Sequence, residues 1–327
     1  MKIIGNKIRK VFYNQNKINE LFRVFTKNTI KASSISDELK LNLKIDFEFS
    51  YCGKIALNLP NMIVPIEAKK YLNDIEKNPH IVGVVCLPEF VDAIDDSIGI
   101  ITSENPKECL NIIQSHVSNL ANFQWESFNS KIHNSAEIHP SACIWDEDVV
   151  IGKNVKIGPN SVVYPRSIIE DNVSIGACSV IGCDAYENNV GDDGLKEFGQ
   201  SGGVLLKNAS RIFSNACIVR ATYGGFTEIG ENSMIDNLVH IAHDVIIGKN
   251  VKVIACAEIS GRVSVGDNST IGMNATVLNG ISIGKESDVS LGSVVTRNVD
   301  DGKRVTGNFA ISHDEFISNL RKNKNNS

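Results

Sequence analysis

Residues 234–284 read MIDNLVHIAHDVIIGKNVKVIACAEISGRVSVGDNSTIGMNATVLNGISIG. An aliphatic residue returns at every sixth position: Ile235, Ile241, Ile247, Val253, Ile259, Val265, Ile271, Val277 and Ile283. The same step runs on through Val289 and Val295 and back to Ile229. Before a short break it continues as Leu206, Ile212 and Ile218, then as Ile151 to Ile181, then as Ile132, Ile138 and Ile144, giving 24 hexads. A period of six does not fit 3.6 residues per helical turn. It does fit strands of about four residues joined by two-residue corners, with Gly at the corners supplying dihedrals that other residues avoid. Three such sides close a coil of about 18 residues, each burying its ladder only against its neighbours, as in a solenoid. The pattern alone does not give the hand of the coil.

The rest of the composition agrees with a repetitive core of small and β-branched residues. Aromatics are 6% of the 327 residues, hydrophobic residues 42% and charged residues 22%, so the chain folds but does not depend on large side chains. The net charge of -5 argues against a nucleic-acid binder. No apolar run reaches the length of a membrane helix, and the basic start MKIIGNKIRKVFYNQNK lacks a signal-peptide apolar stretch, so a cytoplasmic location is expected. Eight scattered cysteines without a C-x-x-C pair read as reduced thiols, and no metal site is expected.

Outside the repeat, VGVVCL (82–87) and IGIITS (98–103) read as buried strands. The stretches 67–77 and 105–123 read as amphipathic helices, the second opened by Asn105 and Pro106. The Lys/Asn/Ser-rich segments around 27–41 read as loops or a weakly packed subregion. The expected organisation is a small α/β domain over 1–128, a β-solenoid over 129–300 and a C-terminal turn, short helix and polar tail over 301–327. The acidic, Gly-rich segment 183–203 interrupts the hexads as a projecting loop, the kind of segment that often carries function.

The hexads resemble those of the hexapeptide-repeat acyltransferases. That resemblance implies a mainly β fold, a left-handed parallel β-helix, and a homotrimer with sites between subunits. The order of domains, with MIVPIEAKKYLND (62–74) and VGVVCLPEFV (82–91) ahead of the repeat, is similar to the UDP-3-O-acylglucosamine N-acyltransferase family and related enzymes of nucleotide-linked amino sugars. It implies transfer of an acyl group from a thioester to an amine, in surface-polysaccharide or lipid A synthesis. Acyl-CoA is the favoured donor, with an acyl carrier protein thioester as the other.

The chemistry centres on His240 and His243, placed by the alternation on the outer surface. IAHD (241–244) resembles the catalytic-histidine segment of these families, so His243 is the expected general base; imidazole accepts a proton near neutral pH. Asp236 matches the N-acyltransferase pattern, and either Asp236 or Asp244 could hold the ring's tautomer. Gly261 falls one coil beyond His243, where its N–H could face a developing oxyanion. Tyr71 corresponds to one of the family's nucleotide-stacking aromatics, and Asn237, His240 and Tyr223 are further substrate candidates. Asn279, Lys303 and Arg304 are candidates for the donor, the last two for coenzyme A phosphates. Cys256, the nearest thiol in sequence, is not expected to act as a nucleophile.

The chain also departs from the lipid A family. Gly280–Ile281 replaces a glycine–histidine pair, Pro65 stands where a second uracil-stacking aromatic is expected, CDAYENN (183–189) replaces a Gly-Phe-Gly-Phe loop, and the C-terminal helix is short. These changes favour an enzyme acting on a different nucleotide-linked amino sugar. Transfer to a sugar hydroxyl, which VHIAHD (239–244) also fits, and a non-catalytic scaffold are the alternatives.

Overall fold

The computed structural model describes residues 28–55, 57, 59–191, 194–307 and 310–324; the basic N-terminal stretch lies outside them. From Lys131 onward the described chain winds into three parallel sheets of 8, 8 and 9 strands, a left-handed parallel β-helix. Successive coils pair 18 residues apart, as His240 with Glu258 and Ile241 with Ile259. The aliphatic ladder fills the interior, and from Ile144 onward every member is buried. Serines at the small inward positions are also buried, and several of their hydroxyls are hydrogen-bonded to the coil. Ser161 donates to the Gly176 carbonyl at 2.6 Å, Ser233 to Gly248 at 2.7 Å and Ser269 to Gly284 at 2.7 Å.

The corners correct the expected use of glycine. Among the described residues the left-handed backbone positions are held by Asn more often than by glycine, including Asn154, Asn172, Asn250 and Asn268, with φ of 55 to 61°, while Gly280, Gly292 and Gly302 serve the last coils. Several of the asparagine side chains bond from coil to coil, as Asn250 Nδ2 to Asn268 Oδ1 at 3.0 Å. The glycines after the ladder residues serve a different need. A Cβ on Gly158 would lie 2.9 Å from the Ala177 nitrogen, and one on Gly272 would lie 2.6 Å from the Leu291 nitrogen. They are glycine because the next coil's backbone occupies the side-chain position.

The N-terminal region holds a five-stranded sheet in the order Asn42–Ile45, Gly99–Thr102, Ile81–Cys86, Met62–Ile66, Tyr51–Cys52, antiparallel only at its first pair. Helix Pro106–Ser118 covers one face and buries Leu110, Ile113 and Val117. Asn105 caps it, its side chain accepting from the Glu108 N–H at 3.2 Å. Two expectations fail here. The predicted helix over 67–77 shrinks to a 3-10 turn, Lys69–Tyr71, and one α-turn, Leu72–Ile75. It buries only Ile75, too little packing for a longer helix, and Pro79 follows closely. Within the stretch read as loop, Ala32–Leu39 is a helix that seats Ala32 and Ile35 in the core and stops at Lys40, with φ 54°. At the other end, Arg304–Val305 adds a last rung by pairing with Asp288–Val289. Helix His313–Lys324 follows, and the Ser312 hydroxyl accepts from the Glu315 N–H at 3.2 Å.

The interruption at 183–203 is a clamped loop ending in a hairpin, Asn188–Gly191 against Gly194–Glu197. Arg220 holds its start through the Gly182 carbonyl at 3.2 Å and Asp184 at 3.4 Å. Arg166 holds its end through the Ser201 carbonyl at 2.8 Å. Burial, with Arg220 close by, lowers the Arg166 guanidinium to about 10. Gln114, on the N-terminal domain's helix, donates to the Gly199 carbonyl at 3.0 Å and to the Ser201 hydroxyl at 2.9 Å. The loop is thereby fixed between helix Pro106–Ser118 and the β-helix.

Candidate active site

Asp244 occupies a left-handed corner, φ 58°, at the end of the rung carrying His240 and Ile241. Its N–H donates to the Thr227 hydroxyl at 2.9 Å. Its carboxylate accepts from the Thr222 hydroxyl at 2.7 Å and the Thr222 N–H at 3.1 Å. The same Oδ2 lies 2.8 Å from His243 Nδ1. A carboxylate already accepting from Thr222 takes a third donor, so Nδ1 carries the hydrogen. In the neutral ring Nε2 is then left with the lone pair.

His243 is only 7% exposed, which corrects the outer-surface reading. The 183–203 loop covers it. Glu187 reaches back so that Oε1 lies 3.3 Å from His243 Nε2, 2.8 Å from Arg262 Nη1 and 3.5 Å from Lys54 Nζ. Burial alone would raise the Glu187 carboxyl, but the cations Lys54 and Arg262 outweigh it and hold the group below its ordinary value. Burial lowers the Lys54 ammonium, with Glu187 opposing the shift. Gly261 lies directly beside the imidazole: a Cβ there would sit 2.5 Å from Cε1. The Arg262 N–H donates to the His243 carbonyl at 2.8 Å, fixing the stack of the two corners. Among the described residues the Gly261 N–H has no backbone acceptor.

The structure thus brings His243, Asp244 and Gly261 together and separates the other candidates from them. Asp236 stands at the preceding corner, where its carboxylate accepts from the Asn237 N–H at 2.7 Å and the Ala255 N–H at 3.1 Å. It organises that corner rather than the His243 ring. Asn237 is likewise a corner residue, accepting from the Ser214 N–H at 3.1 Å. His240 lies on the flat face between the two corners, paired with Cys217 and 3.9 Å from Glu258. Cys217 in turn lies 3.4 Å from Cys183. Tyr223 is 1% exposed, stacked on Phe198 at 5.7 Å, so it is core and not a binding face. Tyr71 lines a cleft of about 710 Å³ in the N-terminal domain with Asp74, Lys77 and His80, and the Lys70 ammonium lies 4.8 Å from its ring centre. Asn279 is exposed one coil beyond Gly261, whose carbonyl accepts from the Gly280 N–H at 2.9 Å. Lys303 and Arg304 are exposed on the last coil, and Arg304 is engaged by Ser290 at 3.1 Å and Asp288 at 3.6 Å.

Sequence reasoning missed Glu187, Arg262, Lys54 and Thr222. The acidic interruption at 183–203 was the signal for Glu187, and adjacency to Gly261 was the signal for Arg262. Lys54 had none.

The family model for the bacterial transferase hexapeptide (six repeats) matches residues 148–183 and 226–261, and that for the hexapeptide repeat of succinyl-transferase matches 262–297. Over 82 residues the chain is 44% identical to UDP-3-O-acylglucosamine N-acyltransferase of Caulobacter sp. (strain K31), covering 25% of this chain and 24% of that one. Over 80 residues it is 42% identical to the protein of the same name from Caulobacter vibrioides (strain NA1000 / CB15N), covering 24% and 23%. The chain therefore spans about a quarter of the length of the curated relatives it matches. Among solved structures, UDP-N-acetylglucosamine acyltransferase from Campylobacter jejuni aligns over 58% of this chain and 82% of that chain, at 22% identity and a TM-score of 0.46. Residues 148–183 and 226–297 thus carry hexapeptide repeats similar to those of bacterial transferases.

Proposed function

We propose that the protein transfers an acyl group from a thioester, acyl-CoA in preference to an acyl carrier protein, to the amine of a nucleotide-linked amino sugar. The observation that supports this best is the Asp244–His243 pair, with Nε2 facing a closed, charged gap beside Gly261. His243 Nε2 takes a proton from the acceptor nitrogen, and Asp244 fixes the tautomer and favours the imidazolium that forms. The nitrogen attacks the thioester carbonyl, whose oxygen gathers charge toward the Gly261 N–H. Collapse breaks the C–S bond, and the imidazolium protonates the leaving thiolate. The cleft at Tyr71 is the proposed seat of the nucleotide, within an α/β domain spanning 1–128, and Lys303 and Arg304 are proposed contacts of the donor's phosphates.

The proposed working unit is a homotrimer. Phe213, Leu238, Met273 and Leu291 are exposed along one corner of the solenoid, an apolar strip suited to a second copy. A light-scattering mass of a single chain would reject the trimer. The reaction is tested by thiol release from acetyl-CoA in the presence of UDP-, dTDP- and GDP-linked amino sugars. With the best acceptor, His243→Ala should lower kcat by at least about 10²-fold while KM moves little. An unchanged kcat would remove His243 from the mechanism.

A further inference from the structure

The acceptor side of the gap is formed by a residue outside the repeat. In the neutral tautomer that Asp244 imposes, His243 Nε2 is an acceptor, and the Glu187 oxygen 3.3 Å away is another. Two acceptors facing each other call for a donor between them that carries at least two hydrogens. An ammonium provides them, and a hydroxyl, with one, does not. Two N–H bonds of about 2.9 Å from one tetrahedral nitrogen reach acceptors about 4.7 Å apart, so admitting an ammonium opens the gap by a little over 1 Å. The Glu187 side chain can turn by this amount about its own torsions while the loop stays clamped, whereas His243 is fixed by the coil stack.

The geometry points to Glu187 as the residue that selects an amine acceptor, holding its ammonium against His243 Nε2. This rests on the acyl-transfer reading above. The groups facing the gap are consistent with it. Asp244 is committed to His243 and Thr222. Lys54 and Arg262 face Glu187 and keep its carboxyl ionised. Lys107 adds further positive charge behind Lys54. Amino sugars reach the site largely as ammonium ions, and the free amine is what attacks. The ammonium donates one N–H to Glu187 and passes one proton to His243. The resulting amine forms the C–N bond at the thioester carbon. A second proton leaves the nitrogen past Glu187 to solvent as the C–S bond breaks, and the imidazolium proton goes to the thiolate. Ammonium and thioester thus give amide, thiol and one released proton.

The test compares wild type, Glu187→Gln and His243→Ala with acetyl-CoA, using the best nucleotide amino sugar of the UDP, dTDP and GDP series and the same sugar with a hydroxyl in place of the amine. The Glu187→Gln side chain keeps the size and the Arg262 contact but lacks the charge. Loss of one charge-assisted contact should raise KM for the amine about 10- to 100-fold, most strongly below the pH at which the amine deprotonates, with little change in kcat. Transfer to the hydroxyl analogue should be unchanged or increased. His243→Ala should lose transfer to both. Thermal melting of each variant checks the fold, and Glu187→Ala, which has no side chain to misplace, should show the same loss of amine selectivity. Equal loss toward amine and hydroxyl, or a pure kcat effect, would make Glu187 a support for His243 and overturn the selectivity role. Full amine selectivity in Glu187→Gln would overturn it as well. No transfer by wild type to any amine would instead overturn the acyl-transfer reading and this inference with it, whereas full activity in His243→Ala would overturn this inference and leave acyl transfer standing.

Discussion

Gly261 and His243 lie side by side on adjacent coils, and the imidazole occupies the space that a side chain at residue 261 would need. Alanine fits the backbone there but not the ring. Gly261→Ala should therefore tilt His243 away from Asp244 without unfolding the solenoid. Misplacing a catalytic group by about 1 Å can cost about 10²-fold in rate. The expected outcome is a fall in kcat of that order with a melting temperature within a few degrees of wild type; unaltered kcat would mean that the ring's position does not matter.

Asp244→Asn tests the tautomer. The amide preserves the shape and can still accept from Thr222, but it can also donate to Nδ1 and stabilise the wrong ring form. A drop in kcat of about 10²–10⁴-fold, with KM nearly constant, is expected from steady-state kinetics. Asp236→Asn should leave kcat near wild type, because that carboxylate serves the Asn237–Ala255 corner. The reverse ranking would restore Asp236 as the partner.

Cys183 and Cys217 share a proton across 3.4 Å. The hydrogen bond from Cys183 outweighs burial and, with His240, lowers the Cys217 thiol to about 5, while the same contact pushes Cys183 up. The sign for reactivity follows: the lowered Cys217 thiol carries more thiolate at neutral pH than an ordinary cysteine, and loses it as the pH falls. Iodoacetamide at pH 7 should label Cys217 ahead of the other cysteines, by mass spectrometry of tryptic peptides, and Cys183→Ser or His240→Ala should slow that labelling. Uniform labelling across the cysteines would refute the shared proton.

The corner asparagines give a stability test. Asn268 holds φ 61° and receives the Asn250 amide. Asn268→Ala should cost about 1–2 kcal/mol from the left-handed backbone, and Asn268→Gly appreciably less. Equal losses in chemical denaturation would indicate that the side-chain bond, and not the dihedral, dominates.

The solenoid was legible because its physics is local and repeated: each ladder residue faces inward by the same rule, and Ile259 or Val277 needs no distant information to be placed. The glycines were legible in position but not in purpose, since the backbone of the next coil is invisible in the string. His243 and Gly261 could be related by the repeat length alone. Glu187 and Lys54 could not, because loop geometry and domain docking place them, and no sequence period spans those junctions. Tyr223 misled for a similar reason. It lies beside a break in the ladder, where the alternation rule lapses and the N-terminal domain covers the chain.

Lys54 comes from the N-terminal sheet's edge, Glu187 from the interruption, and His243 and Arg262 from consecutive coils, yet one oxygen of Glu187 touches all three. The site is therefore a keystone: it exists only once the coils have wound, the loop has been clamped by Arg166 and Arg220, and the first domain has docked. A chain that has completed only its repeat carries His243 and Asp244 but not the closed gap. On the proposed reading, acyl-transfer activity would therefore report on whether every part has arrived.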